Sequence, residues 1–205
     1  MLDHKGFDLW ADGYDKDVEL SEESNEYPFA AYRGVLGTVY RIVSQRKGAV
    51  LDIGFGTGIL TQKLYTNGYD VSGLDFSERM IEIASEKMPK ANFLKWDFTR
   101  GLAEIMPGPF AWIISTYAIH HLTDEQKKLF IPELLQRLSP EGAIVFGDVA
   151  FQNRKELELA KAKEREIWDD EEEYLVAAEI KEMFPDLRID FQKKSYCSGV
   201  LVIKA

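Results

Sequence analysis

Three glycines at strictly alternate positions, Gly54, Gly56 and Gly58, follow a short apolar run at residues 49–53 that carries an acid, Asp52. Glycine lets a chain turn tightly and lets a ligand touch main chain that a side chain would otherwise cover. A second acid, Asp75, falls where the next apolar run ends. An acid at that place in a nucleotide-binding βα unit can accept both hydroxyls of a ribose. A third, Asp97, sits in Trp96-Asp97-Phe98 after another short run, where it can accept from an adenine amino group while Phe98 offers backbone contacts. The alternative for Asp97 is a plain turn residue. His120 and His121 follow a fourth run, and His4 is the only other histidine. Imidazole takes and gives protons near neutral pH, so these two are the candidate general bases. The bland alternative is that they pack or bond to the backbone.

Residues of this kind need a frame. The run at 49–53 has the length and β-branched content of a buried strand, and a helical pattern with Ile59, Leu60 and Leu64 follows the glycines. Further strands are expected at 70–75, 92–95, 110–115 and 143–148. Between them lie a helix capped by Ser77 and ended by Pro89, and a helix from Thr123 through Leu138 with Leu129, Phe130, Leu134, Leu135 and Leu138 inward. Strands alternating with helices predict a parallel sheet covered on both faces, with right-handed crossovers. The tail reads as two strands, 187–193 and 198–204, forming an antiparallel hairpin. Ligands of such sheets lie beyond the carboxyl ends of the strands, at the point where strand order reverses, which is where all the residues above fall.

Flanking this core, residues 1–47 read as a helical prelude carrying Phe7, Trp10 and Tyr14, either packed core or a lid. Residues 153–184 are rich in alternating charge, as on a solvated helix face, although Trp168, Tyr174 and Leu175 offer a surface for a substrate. The whole chain of 205 residues is expected to form one domain: prelude 1–47, core 49–148, and charged segment with hairpin 149–205. A net charge of −10 with scattered lysines and arginines opposes a nucleic-acid partner. No apolar stretch of membrane-spanning length occurs, and the start lacks a signal pattern, so a cytoplasmic monomer or homodimer is expected. The lone cysteine, Cys197, excludes an internal disulfide and a cysteine zinc site. Adjacent histidines project differently from a strand or helix, so no metal is expected.

The glycine spacing is neither G-x-G-x-x-G nor a P-loop. The stretch LDIGFGTG resembles motif I of the class I S-adenosylmethionine-dependent methyltransferases. The segment at 71–84 resembles the family's second motif, KWDF at 95–98 its adenine-contacting segment, and STYAIHHL at 115–122 the segment after strand four. The opening FDLWADGYD is similar to small bacterial members in which the tyrosine, here Tyr14, lies over the cofactor. Phe110-Ala111 departs from the Phe-Asp common at the start of strand four, at the end of the strand away from the ligand. The resemblance implies a doubly wound, seven-stranded, mostly parallel Rossmann-like methyltransferase sheet with an antiparallel C-terminal hairpin. It implies S-adenosylmethionine as cofactor, contacted by Tyr14, Asp52, Gly54, Gly56, Gly58, Asp75, Phe76, Met80, Asp97, Phe98 and Ser115. Methyl transfer to a small-molecule acceptor follows, with His120 as the candidate catalytic residue. Trp10, Tyr14, Tyr117, His120 and Trp168 would wall the acceptor, favouring a small, neutral or cationic one. The alternatives are a non-catalytic cofactor-binding protein and a nucleotide-cofactor oxidoreductase, for which the third glycine comes one residue early.

Overall fold

The computed structural model describes residues 26–205 except Ala103, Ile105 and Pro107. Phe7, Trp10 and Tyr14 lie outside the described residues. Helix α1 spans Tyr32–Val43. Then come β1 (Val50–Ile53), α2 (Ile59–Thr66), β2 (Val71–Asp75), α3 (Glu78–Lys87), β3 (Asn92–Lys95), β4 (Phe110–Thr116) and α4 (Asp124–Leu135). The chain continues with β5 (Leu138–Phe151), α5 (Arg154–Lys163), β6 (Leu175–Val176), α6 (Ala177–Met183), β7 (Arg188–Lys193) and β8 (Ser198–Lys204).

The strands order as β3-β2-β1-β4-β5-β8-β7, with β6 paired separately to the end of β5. From β3 to β5 all pairs are parallel, and β8 joins β5 and β7 antiparallel. This is the expected sheet with one addition: β6 pairs Ala150 with Leu175 inside the segment read as charged helix and turn. The chain runs outward from β1 to β3 and then crosses to β4 on the other side of β1. The reversal therefore lies between β1 and β4, directly above the glycines.

Residues alternate along a strand between two faces, and two cores result. Val50, Ile114, Val145 and Val200 belong to one, with Val35, Val39 and Leu64 from the helices. Leu51, Ile113, Ile144 and Leu201 belong to the other, with Phe130 and Leu134. A fully buried side chain of this size contributes about 1.5–3 kcal/mol, so this alternation fixes the register of every central strand. Helix α1 comes close to the sheet because position 147 is glycine. A Cβ there would lie 2.6 Å from Val35 Cγ1 and 3.0 Å from Val39 Cγ2.

Several sequence expectations need correction. Helix α4 ends at Leu135, not Leu138, which already belongs to β5 opposite Phe110. β5 runs from Leu138 to Phe151, longer at both ends than the expected 143–148. It takes in the Ser139–Gly142 segment through an irregular register, with Glu141 at φ 60°. Leu129 is 71% exposed, so it does not face inward. The α4 face turned to the core instead carries Phe130, Ile131, Leu134 and the stem of Lys127, which is only 1% exposed. Thr123 caps α4 with a full capping box: its side chain accepts from Gln126 N, and Gln126 returns a bond to Thr123 N.

Candidate active site

Each of the three glycines does something different. All three hold positive φ, a backbone shape that costs other residues about 1–2 kcal/mol. Gly54 bonds back to Leu74 O at 2.7 Å, and a Cβ on it would strike Ala118 Cβ at 2.5 Å. Gly58 caps α2, and a Cβ there would meet Met88 Cε at 2.7 Å, so it serves the packing of α2 on α3. At Gly56 a Cβ would find nothing within 4 Å among the described residues. Gly56 therefore turns bare main chain toward open space, the feature a ligand-contacting turn requires.

Asp75 closes β2 beside this turn. Its Oδ2 accepts from Gly56 N at 2.9 Å and its Oδ1 from Ser77 N at 2.9 Å, so the carboxylate is pinned at the cavity wall. Ser77 caps α3, accepting from Met80 N, which leaves Asp75 to its own task. Asp52 lies deeper, 1% exposed, beneath the turn. Thr61 donates to its Oδ2 at 2.6 Å, while Oδ1 has no hydrogen-bond partner among the described residues. Burial pushes its pKa up to about 7; the Thr61 bond opposes this and the Asp75 charge adds to it.

An open cavity lies over the strand reversal. Of the expected cofactor contacts, Gly54, Asp75, Phe76, Met80 and Phe98 line it. Asp52, Gly56, Gly58, Asp97 and Ser115 do not, and Tyr14 lies outside the described residues. Ser115 points to the opposite side of β4, donating to Ile53 O at 2.8 Å, and its strand neighbour Thr116 lines the cavity instead. Asp97 caps a short turn of 3₁₀ helix, its Oδ1 accepting from the Thr99 amide at 3.0 Å and hydroxyl at 2.6 Å. Tyr32 and Leu36 of α1 complete the wall, a contribution that sequence reasoning did not assign. Their helical spacing was legible; the direction their face would turn was not.

The histidines fall on a 3₁₀ turn, Ile119–His121, that follows β4. Instead of projecting apart, their rings lie 4.3 Å centroid to centroid. His120 Nδ1 lies 2.6 Å from Oδ1 of Asp148, a carboxylate 1% exposed near the carboxyl end of β5. Asp148 Oδ2 also accepts from the Ile119 and His120 amides, at 3.1 and 3.3 Å, so ring and turn share one anchor. Burial works to lower the His120 pKa, but the charge and hydrogen bond of Asp148 outweigh it and the net shift is upward. His121 lines the cavity, and its Nδ1 lies 3.0 Å from Glu172 Oε1. Glu172 belongs to the acidic run read as a solvated turn. Buried Lys127 fixes that run in place, donating to Leu122 O at 2.7 Å and Glu173 O at 2.6 Å. Trp168 stacks on Tyr27 at 5.0 Å and meets Tyr174 edge-on at 4.9 Å. These rings mainly pack on one another, and an acidic groove runs past Trp168, Glu172 and Tyr174.

A parallel sheet with a glycine turn at its reversal, an acid ending β2 and a cavity between them defines a Rossmann-like fold of the methyltransferase type. Solved structures of similar shape include the DhpI–SAH complex (TM-score 0.73, 16% identity, covering 98% of this chain and 94% of that one). Another is magnesium protoporphyrin IX methyltransferase of Synechocystis PCC 6803 with bound SAH (TM-score 0.65, 18% identity, 85% and 84% covered). Residues 50–142 match the family model described as a methyltransferase domain. An uncharacterized methyltransferase of Geobacillus sp. (strain WCH70) is 40% identical over 161 residues, 78% of this chain and 73% of the relative. One from Oceanobacillus iheyensis is 39% identical over 149 residues, 73% and 68% of the two chains. The chain belongs to the S-adenosylmethionine-dependent methyltransferase family, class I. Among the described residues no helix is long and apolar enough to cross a membrane.

Proposed function

We propose that this methyltransferase acts on a small-molecule acceptor brought to the His121 wall of the cavity, with the adjoining His120 as general base. The observation that carries the proposal is the Asp148–His120 contact. A buried carboxylate on Nδ1 fixes the ring and leaves Nε2 as the edge that takes a proton. The residues present suit the cofactor. The open face of Gly56 admits a close-lying ligand, the pinned carboxylate of Asp75 suits ribose hydroxyls, and Oδ1 of Asp52, without a partner among the described residues, suits an ammonium group. When bound, S-adenosylmethionine supplies a methyl group on a sulfonium that is already a good leaving group. The chain's own task is then positioning, exclusion of water and, for a hydroxyl or protonated amine, removal of a proton. Family membership removes the support for an oxidoreductase and leaves a non-catalytic cofactor-binding protein as the competing outcome.

Incubation with methyl-labelled S-adenosylmethionine and a pool of small metabolites tests this. Label should pass to a small molecule, and His120→Ala should lower turnover on it by about 10²–10⁴-fold with S-adenosylhomocysteine affinity nearly intact. Cofactor binding with no acceptor labelled would instead support the non-catalytic alternative.

A further inference from the structure

We propose that His120, His121 and Glu172 form a binding site for a divalent transition-metal ion of the zinc type. One ligand atom from each of the three lies within 4.8 Å of the other two. All three side chains are withdrawn from solvent, at 15, 17 and 8% exposure. Two imidazoles and one carboxylate are the donor set of catalytic zinc sites, with further coordination positions open. The absence of thiolate and the presence of two nitrogens favour zinc, cobalt or iron over magnesium or calcium, which prefer all-oxygen shells.

A second observation points the same way. A metal-bound histidine nearly always donates its other ring N–H to a carboxylate, which sets its tautomer and strengthens it as a ligand. His120 has that partner: Nδ1 is held by buried Asp148, which turns Nε2 outward as the coordinating edge. On the other side, His121 Nδ1 and the two Glu172 oxygens face each other at 3.0 and 3.1 Å. An ion can replace the proton they share. Tetrahedral zinc, with bonds of about 2.1 Å, separates its ligands by about 3.4 Å, so the three ligand atoms, all within 4.8 Å of one another, need to close by about 1.4 Å at most.

Position gives the site its use. His121 lines the cofactor cavity, while Glu172 lines the acidic groove beyond it. An ion held between them would stand at the junction and present its open positions to whatever enters from the groove. The inference does not depend on the acceptor. It does bear on the base, because an ion occupies the same Nε2 edge: a metal-loaded site and a free His120 base are alternate states.

Cobalt(II) is the probe, titrated into the metal-stripped full chain. Visible d–d absorption of a four- or five-coordinate ion should rise to one equivalent and be bleached by stoichiometric zinc. Glu172→Gln and His121→Ala should each weaken cobalt affinity more than tenfold, and Asp148→Asn by about 10–100-fold. Glu172 lies outside the cofactor cavity, so unchanged S-adenosylhomocysteine binding by Glu172→Gln shows that the variant is folded. Proton NMR of the wild-type cobalt form gives a readout that needs no variant: hyperfine-shifted, exchangeable imidazole N–H signals are expected. No d–d absorption, no shifted imidazole signals, or equal affinity in a folded Glu172→Gln would each overturn the proposal.

Discussion

Cofactor binding should expel a proton from Asp52. Alone in the fold, this carboxyl has one oxygen bonded to Thr61 and the other without a partner among the described residues. Its pKa of about 7, against an ordinary 3.8, corresponds to roughly 4 kcal/mol of ionisation cost, at 1.36 kcal/mol per unit. An ammonium group brought to Oδ1 removes that cost by favouring the charged form. At pH 6, about one unit below the shifted value, Asp52 is about nine-tenths protonated in the free protein, so close to one proton should leave per ligand bound. Affinity should then rise about tenfold per unit from pH 5 to 7 and level off above. Titration calorimetry with S-adenosylhomocysteine at pH 6, in buffers of different ionisation enthalpy, reads the proton count from the slope of heat against buffer enthalpy. The release should persist in His120→Ala and vanish in Asp52→Asn. A slope of zero in the wild type, or proton uptake, would refute the reasoning. The ligand-free protein should show the same group through its stability. The folded state holds a proton that the unfolded chain has lost, so stability should fall as pH rises from about 4 to 7 and stay level above.

Replacing Asp75 by Ala should weaken S-adenosylhomocysteine by about 1.5–3 kcal/mol, the range for bonds to a charged group; an unchanged dissociation constant would remove it from the ribose role. Gly56→Ala and Gly58→Ala should separate binding from folding. Both variants carry the strain of a positive φ, but the first meets no described neighbour and should chiefly damage cofactor affinity, while the second also drives a methyl into Met88 and should lower the melting temperature further. Equal losses in both properties for both variants would show that the two glycines are interchangeable. Lys127→Met should destabilise the fold by about 3 kcal/mol, since it leaves two buried carbonyls and Asp124 without their cation. Chemical denaturation measures that loss, and a change under 1 kcal/mol would show that water replaces the ammonium.

The glycine-turn side of the candidate site was legible because its residues are local in sequence. The glycine turn, Asp75 and the Ser77 cap lie on consecutive strand ends, and strand–helix alternation places such ends together. The partners of the two histidines were not legible, because they are assembled over distance. Asp148 ends the expected strand, but its contact with His120, 28 residues earlier, depends on β4 and β5 lying side by side, and Glu172 reaches His121 through a segment that β6 pins to Ala150 and Phe151, beyond that expected end. An acidic run looks the same in sequence whether it meets water or a histidine. Strand alternation, too, is hard to phase by one residue: Thr116, not its neighbour Ser115, lines the cavity. Lys127 and Leu129 show the limit of reading burial from residue type, since the charge went in and the leucine stayed out.

The swap of β7 and β8 governs how the molecule behaves in a crowd. Val200-Leu201-Val202-Ile203 is the kind of segment that stacks on its own copies when its backbone is unpaired. Had β7 paired with β5 directly, that stretch would have formed the rim of the sheet. Instead β8 is buried between β5 and β7, and the rim goes to β7, with Arg188, Asp190, Gln192 and Lys193 exposed. Charge on an outer strand discourages edge-to-edge growth. The opposite rim, β3, ends in exposed Lys95, so both borders carry charge. Loosening β7 should therefore reveal a sticky strand before any enzymatic loss, and light scattering would register self-association while cofactor binding was still intact.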